Sequence, residues 1–257
     1  DDLEKTLNLF MGRVREWYGL HFPELSRLID KHKRYARLVS KLGRRENFTF
    51  ERLINEGISK GKAKRISEAA QTSMGAELSD IDLEHIQKFC NHILMLYDER
   101  DLLERYLRRL MEEVAPNISA LTGPTLGARL IALAGGLDNL AKMPASTIQV
   151  LGAEKALFRS LRTGSRPPKH GILFQHALVH EAGKWQRGKI ARVLAGKIAI
   201  AARTDAYSSK YIGDDLRRDL ERRIKEIKAK YPKPKPKPSR AKRAVRKGRR
   251  RRREHKG

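Results

Sequence analysis

The stretch GAEKALFRSLRTGSRPPKHG, residues 152–171, combines small residues at a predicted helix start with a basic loop. Gly152 and Ala153 carry too little side chain to cover the backbone N–H groups of a helix that begins there, and such groups bind phosphates. These residue types therefore predict a surface for a phosphate group or for the close approach of a partner. The candidates are Gly152, Ala153, Glu154, Lys155, Arg159, Arg166, Lys169, His170 and Gly171.

A second group of basic residues lies on the helix predicted from about Gln186 to Thr204. Positions 189, 192, 196, 199 and 203 share one stripe at helical spacing, and they read Lys189, Arg192, Gly196, Ala199 and Arg203. Small residues between basic side chains would let a nucleic-acid backbone lie close to the helix. Arg187 is a further candidate for RNA binding, near the start of the same helix. A basic face that contacts only solvent is the competing interpretation.

The charge of the chain favours a polyanionic partner. The 257 residues contain 56 Lys and Arg against 30 Asp and Glu, which gives a net charge of +26. Residues 228–257 contribute +15 of this charge, and the preceding residues still carry +11. Because the body stays basic without its tail, we expect a folded surface that faces phosphates.

The sequence offers no recognisable catalytic motif. It has no G-x-x-x-x-G-K-S/T loop, no G-x-S-x-G turn and no H-E-x-x-H helix. His176 and His180 have metal-ligand spacing, but no third ligand matches it, so packed or hydrogen-bonding histidines are favoured. The single cysteine, Cys90, excludes an internal disulfide and a cysteine zinc cluster. We therefore predict a protein without catalytic residues, metal or cofactor.

The segment from Gly57 to Ala63, GISKGKA, resembles the glycine hairpin with which some modules grip a DNA backbone. The match is short. A helix start with lysines exposed to solvent is the favoured alternative.

Helical periodicity dominates the first half of the chain. An apolar seam runs from Leu83 through Tyr97 and resumes at Leu103, which predicts a helix of some 30 residues across the charged patch 98–101. Shorter helical pieces are predicted at 24–41, 50–55 and 60–72. An elongated helical hairpin or coiled coil would self-associate, whereas a plain helical bundle would not. The candidate self-association residues are Leu83, Ile86, Ile93, Tyr97, Leu103 and Leu107.

The second half consists of short predicted helices separated by glycine and proline. Almost no segment alternates with period two, so the predicted fold class is all-α. We expect a helical domain at 1–117, a second helical domain at 118–230 and a basic tail at 231–257 that is disordered without a polyanion. No run of apolar residues is long enough to cross a membrane.

Several long motifs resemble one family. GAEKALFRSL, PKHGILFQH and KWQRGKIARVLAGKIAIAARTDAYS resemble the Nop domain of the core proteins of box C/D small ribonucleoprotein particles. VREWYGLHFPEL, EAAQTSMGAELSDIDL and LTGPTLGARLIALAGGLDNLAKMPASTIQVLGAEKAL are also similar to that family. The resemblance extends to about residue 230.

The resemblance implies a non-catalytic scaffold. It implies a coiled-coil domain that forms a homodimer, and a Nop domain that recognises a kink-turn guide RNA together with a small ribosomal-protein-like kink-turn-binding protein. Fibrillarin would supply guide-directed 2′-O-methylation, docked on an N-terminal domain that we expect to be missing, since the chain starts at Asp1-Asp2-Leu3. The implied location is the cytoplasm of an archaeon, or the nucleolus of a eukaryote.

The resemblance also assigns roles to residues. Gly152 to Lys155 match the segment that meets the kink-turn complex, and Arg159, Lys169, His170 and Gly171 match the helix and loop that reach the RNA. Ile148 and Gln149 are candidates for contact with the partner protein. Ala177 and the region of Gly183 depart from the family, which more often has proline there, so we expect the loop after the histidines to adopt a different conformation.

Two other functions stay open at this point. A spliceosomal relative would use a similar domain on a small nuclear RNA. A purely structural coiled-coil protein would bind RNA nonspecifically through its tail.

Overall fold

The computed structural model describes residues 1–208 and 210–234, and all of its regular structure is helical. The described part of the chain contains no β-strand, which confirms the all-α prediction. The helices are α1 Asp2–Tyr18, α2 Leu25–Leu28, α3 His32–Leu42, α4 Phe50–Asn55, α5 Lys60–Gln71, α6 Asp80–Val114, α7 Pro116–Thr122, α8 Pro124–Ala134, α9 Leu137–Lys142, α10 Ala145–Val150, α11 Glu154–Thr163, α12 Ala177–His180, α13 Arg187–Tyr207 and α14 Gly213–Lys230. Short 3-10 turns occur at Arg45–Asn47 and Ile172–Gln175.

The chain divides into two units, Asp1–Tyr106 and the residues from Leu107 onward. Each unit has its own hydrophobic core. The boundary between them falls inside α6. Self-association by residues 1–117 and RNA binding by residues 118–230 stay predictions. The basic tail from residue 235 onward lies outside the described residues.

The core of unit 1 forms where apolar seams of α1, α3, α5 and α6 meet. On α1, Leu7, Met11, Val14 and Tyr18 recur at spacings of four and three, and all four are buried. Cys90 of α6 is buried in this core, and the loss of solvent raises the pKa of its thiol to about 12. The thiol therefore stays protonated and unreactive at neutral pH.

One predicted helical piece, 24–41, is two helices in the structure, which corrects that prediction. The chain breaks between Leu28 and His32, where Arg15 of α1 donates hydrogen bonds to the carbonyl oxygens of Ser26 at 3.0 Å, Ile29 at 2.7 Å and Asp30 at 3.0 Å. These carbonyls lie at the end of α2 and lack helical partners, so the half-buried guanidinium of Arg15 takes the place of a continuing helix.

The long helix is confirmed and runs without interruption through the charged patch. Asp98 and Asp101 lie on the exposed side of α6, where both accept hydrogen bonds from Lys33, at 2.9 and 3.1 Å. The guanidinium of Arg100 lies 5.3 Å from the ring centre of Tyr97. The charges therefore pair at the surface and leave the apolar seam of α6 intact.

The core of unit 2 is built around α13. Eight residues of this helix are buried, five of which are alanine, so neighbouring helices approach closely. Helices α7, α9, α10 and α14 all pack on α13. None of the helices in the described residues is both long and apolar enough to span a bilayer.

Candidate nucleic-acid interface

The structure brings both ends of the stretch 152–171 together. The backbone N–H of Gly171 donates to the carbonyl oxygen of Gln149 at 2.9 Å, and the N–H of Ile172 donates to that of Leu151 at 2.8 Å. The loop after α11 therefore returns to the segment that precedes α11. Residues that the sequence separates by about twenty positions form one surface.

Gly171 makes this pairing possible. A Cβ atom at this position would lie 1.9 Å from the carbonyl oxygen of Leu151 and 2.7 Å from its carbonyl carbon. These are backbone atoms, which cannot move aside without separating the two segments. Glycine is therefore required here by the close approach of two backbones.

The side chain of Gln149 binds the backbone of the same loop. Its Nε2 atom donates to the carbonyl oxygen of Lys169 at 2.7 Å and to that of Gly188 at 3.4 Å. The side chain thus joins α10, the loop and the first turn of α13. Ile148 is fully buried and Gln149 is only 9% exposed, so the structure places these two candidate partner contacts inside unit 2. Their contact with a partner protein stays a prediction.

The start of α11 differs from the expectation of open backbone N–H groups at Gly152 and Ala153. The helix begins two residues later, at Glu154. The carboxylate of Glu154 accepts a hydrogen bond from the N–H of Gly152 at 2.6 Å, and the N–H of Ala153 donates to Val150. Gly152 adopts a φ of +82°, which lets the chain turn into the helix. The expected bare start is wrong for these two amides because the chain itself satisfies them.

An aromatic stack orders the loop. The ring of His170 stacks on Phe174 with 4.9 Å between ring centres and an interplanar angle of 12°. The guanidinium of Arg187 lies 4.9 Å from the centre of the Phe174 ring. Partial burial lowers the pKa of His170, and the nearby cations Arg187 and Lys169 lower it further. His170 is therefore a neutral ring at physiological pH.

Arg187 also serves unit 2 internally. Its Nε atom donates to the carbonyl oxygen of Ala182 at 3.0 Å, and an Nη atom donates to that of His180 at 2.9 Å. These bonds fix the segment before α13. A phosphate contact by Arg187 stays a prediction, although its guanidinium is already engaged with these carbonyls.

The end of α14 is fastened beside the start of α13. Trp185 Nε1 and Gln186 Nε2 both donate to the carbonyl oxygen of Tyr231, at 2.9 and 2.8 Å. The ammonium group of Lys189 lies 4.1 Å from the centre of the Tyr231 ring. Lys189 therefore contacts the point from which the basic tail continues. Sequence periodicity gave no signal for this contact.

The basic stripe of α13 is not continuous. Arg192 is exposed, but Ala199 is buried in the core of unit 2. Arg203 donates through Nε to the carbonyl oxygen of Ala141 at 3.1 Å, which ties it to α9. The prediction that Ala199 leaves space for a nucleic-acid backbone is wrong, because α13 passes through the centre of unit 2 and packs on several sides.

Several candidate residues do lie free at the surface. Lys155, Arg159, Arg166 and Lys169 are exposed on α11 and on the loop that follows. Phe158 and Leu161 of the same helix are 68% and 73% exposed. Sequence reasoning missed this apolar pair. The signal in the sequence was two large apolar residues, three positions apart on one helix face, among basic side chains. Such a pair normally faces a core, so its exposure marks a possible contact surface.

His176 has an internal role. Its Nδ1 atom accepts a hydrogen bond from the N–H of Leu178 at 3.2 Å, and its Nε2 atom lies 3.0 Å from the carbonyl oxygen of Leu121. These partners require a neutral ring that carries its proton on Nε2. Burial lowers the pKa of His176 in agreement with this state. Among the described residues, no group of three possible metal ligands occurs.

The candidate self-association residues are mostly inside unit 1. Leu83, Ile86, Ile93 and Tyr97 are buried in its core, whereas Leu103 is 50% exposed and Leu107 packs against the core of unit 2. Self-association stays a prediction. The exposed apolar side chains of α6 that are free to take part are Ile81, Met95, Leu102, Leu103, Tyr106, Leu110 and Val114.

Charge separates the two units. Residues 1–106 contain 19 basic and 18 acidic side chains, so unit 1 is almost neutral. Residues 107–234 contain 24 basic and 11 acidic side chains. The basic surface of the folded chain therefore belongs chiefly to unit 2, which also carries the paired segments 149–152 and 169–172.

Comparisons with known proteins agree on one family. The family model described as "Nop: snoRNA binding domain, fibrillarin" matches residues 1–226. A NOP5 family protein of Methanocaldococcus jannaschii is 59% identical over 232 residues, which cover 90% of this chain and 56% of that protein. Human nucleolar protein 56 is 45% identical over 230 residues, which cover 87% of this chain and 39% of that protein.

Nucleolar protein 58 of Schizosaccharomyces pombe is 45% identical over 235 residues, which cover 88% of this chain and 46% of that protein. The chain thus spans about half or less of the length of these relatives. A solved structure of a fibrillarin/NOP5P complex matches with a TM-score of 0.48 and 29% identity, covering 88% of this chain and 77% of that one.

Proposed function

Since this chain belongs to the Nop family, we propose that it is a non-catalytic scaffold of a box C/D ribonucleoprotein particle. In this role it binds a kink-turn guide RNA together with a small kink-turn-binding protein. It thereby supports guide-directed 2′-O-methylation of RNA, which fibrillarin catalyses. We propose that two copies associate. The cytoplasm is the proposed location in an archaeal cell, and the nucleolus in a eukaryotic one.

The paired segments 149–152 and 169–172 carry this proposal. Their hydrogen bonds bring the end of the loop, with the exposed Lys169, back to the segment that leads into α11, whose first turn carries the exposed Lys155. A kinked RNA offers its backbone shape and a few splayed bases for recognition, which suits a rigid, basic and partly aromatic surface. The excess of basic residues in unit 2 supplies the electrostatic attraction.

A gel-shift titration tests the proposal. The chain is titrated against a kink-turn RNA with and without the small kink-turn-binding protein, in the presence of competitor RNA. A second version ends at Pro234, since the last core residue that packs in either unit is Ile227. A shift by both versions that depends on the partner supports the scaffold. Equal binding to any RNA, indifferent to the partner, would contradict it and favour a structural protein with a nonspecific tail.

The exposed residue Arg192 gives a local prediction. Arg192→Glu is expected to weaken RNA binding about fivefold and to reduce the salt slope by about one, because one phosphate contact is lost and reversed. The measurement is RNA affinity at several salt concentrations. Arg218→Glu is the matched control, since Arg218 is exposed on α14 and pairs with Asp215. Unchanged affinity in Arg192→Glu would show that this residue contacts only solvent.

Unit 2 is expected to lose stability as the pH falls below about 6.5. The pKa values of His170 and His176 are lowered in the folded chain, so the unfolded chain binds more protons at mildly acidic pH. The stability of unit 2 is therefore full above the pKa that these histidines have in the unfolded chain. It is lost as the pH falls towards their lower pKa in the folded chain. Urea unfolding at pH 7.5 and 5.0, followed by Trp185 fluorescence in a Trp17→Phe background, measures this. His176→Asn is expected to reduce the loss of stability between pH 7.5 and 5.0. An equal loss of stability in this variant would show that His176 does not cause the pH dependence.

A further inference from the structure

Unit 1 carries a concentrated basic surface on α5 and on the end of α2. We call Arg27, Lys60, Lys62, Lys64 and Arg65 the α5 surface, and all five residues are exposed. Four of them lie within six consecutive positions. Because unit 1 as a whole is almost neutral, this concentration does not follow from its general composition.

Among the described residues, the cations of the α5 surface are largely unpaired, unlike those of helix α3. On α3, Lys33 pairs with Asp98 and Asp101, and Lys41 pairs with Glu56 at 2.6 Å. On the α5 surface, Lys64 forms a long ion pair with Glu68, at 3.9 Å, and both side chains are mostly exposed. Exposed like charges repel one another, so an external counter-charge would stabilise their clustering.

Three of these cations converge on one hollow. Arg27 of α2 and Lys62 and Arg65 of α5 line a cavity of about 190 Å³, together with Leu28, Ile66 and Asp30. Asp30 is the single carboxylate among these six residues. The hollow therefore keeps a net positive charge and has room for a phosphate group.

The turn before α5 holds this surface in place. Gly57 adopts a φ of +76°, and the N–H of Ile58 donates back to the carbonyl oxygen of Leu53 at 3.0 Å. Ile58 and Ala63 are buried, so the turn is anchored on the core of unit 1. The structure shows the alternative that the sequence favoured over a glycine hairpin: α5 starts at Lys60 with its lysines exposed, and a tight glycine turn joins it to α4.

Gly61 leaves the surface of α5 open between Lys60 and Lys62. It lies in the first turn of α5, and a Cβ atom there would meet no heavy atom within 4 Å. A glycine inside a helix costs roughly 0.5–1 kcal/mol relative to alanine, and the packing of this chain does not require it. The small side chain lets another backbone come close to α5 between two lysines, which is compatible with a phosphate backbone on this surface.

We infer that the α5 surface is a second RNA contact, which binds the phosphate backbone. This inference rests on the proposed function for the choice of RNA as the polyanion. Exposed Lys and Arg without an exposed large apolar side chain on α5 suit a phosphate backbone, which is recognised through charge. An acidic protein partner would be expected to bury apolar area as well.

Lysine footprinting locates the contact. The full chain is acetylated at low reagent concentration, alone and with a kink-turn RNA with flanking stems plus the small kink-turn-binding protein. We expect RNA to protect Lys60 and Lys62, and to leave Lys5 of α1 unchanged. Equal acetylation of Lys60 and Lys62 with and without RNA would overturn the inference.

Charge reversal measures its contribution. The double variant Lys62→Glu, Arg65→Glu is expected to lower RNA affinity about tenfold at 0.15 M salt and to reduce the salt slope by about two. The matched control is Lys5→Glu, Arg13→Glu, which replaces two exposed basic residues of α1 and changes the net charge by the same amount. The neutral pair Lys62→Gln, Arg65→Gln is expected to give a smaller loss and guards against misfolding. An equal loss in the control would assign the effect to net charge and overturn the inference.

The two proposals can fail separately. Binding that is indifferent to the small partner, with Lys62 still protected, would refute the proposed function alone. Partner-dependent binding with Lys62 unprotected and an unchanged double variant would refute the α5 surface alone.

Discussion

Gly171→Ala is expected to lower partner-dependent RNA affinity by tenfold or more. The new methyl group would lie 1.9 Å from the carbonyl oxygen of Leu151, and no side-chain rotation can relieve a clash with backbone. The paired segments 149–152 and 169–172 must separate, which breaks the hydrogen bonds from Gly171 to Gln149 and from Ile172 to Leu151. The loop then loses its fixed position beside α11, and preorganised binding is lost with it.

The same variant is expected to destabilise unit 2 by about 2 kcal/mol or more, because two partly buried backbone hydrogen bonds are disturbed. Gly12→Ala is the matched control. Gly12 lies inside α1, and a Cβ atom there would meet nothing within 4 Å. The control should leave RNA affinity unchanged. Wild-type affinity in Gly171→Ala would show that the paired segments do not form the RNA-binding surface.

Asp205→Ala is expected to cost unit 2 about 3 kcal/mol of stability. One oxygen of Asp205 accepts hydrogen bonds from the backbone N–H and the side-chain amide of Asn117, at 3.1 and 2.7 Å. The other oxygen accepts from the N–H of Ile118 at 2.9 Å. The carboxylate thus caps the first turn of α7, where its charge also interacts favourably with the helix dipole.

Removal of the carboxylate would leave buried N–H donors without partners. An unpaired buried donor costs more stability than the loss of both partners of a hydrogen bond. Asn117 is 1% exposed and also holds the segment before α14, through the carbonyl oxygen of Lys210 and the N–H of Ile212. The damage would therefore spread from α7 to α14. Asp205→Asn keeps an acceptor oxygen and is expected to lose about half as much stability.

Urea unfolding followed by Trp185 fluorescence, in the Trp17→Phe background, checks this prediction. Asp215→Ala is the control, since Asp215 is an exposed residue of α14 paired with Arg218. That control is expected to cost no more than about 0.5 kcal/mol. Equal midpoints for Asp205→Ala and Asp215→Ala would contradict the capping role.

Local sequence patterns predicted many of the helices. The helix from Phe50 to Asn55 has the predicted bounds, and the long helix extends the predicted apolar seam to Asp80–Val114. These patterns succeed because the spacing of apolar residues and the positions of glycine and proline act within a few residues. The predicted piece 24–41 failed because its break depends on Arg15, which comes from another helix.

The sequence by itself determined the all-α class, the positive charge and the family, because each follows from residue types in order along the chain. The tertiary structure decided which of the candidate residues are free to bind RNA. It buried Gln149 under the loop, engaged Arg187 and Arg203 with carbonyl oxygens, and left Phe158 exposed. The physical reason is distance along the chain: contacts such as that of Gly171 with Leu151 depend on how separate helices pack, and no local spacing encodes them.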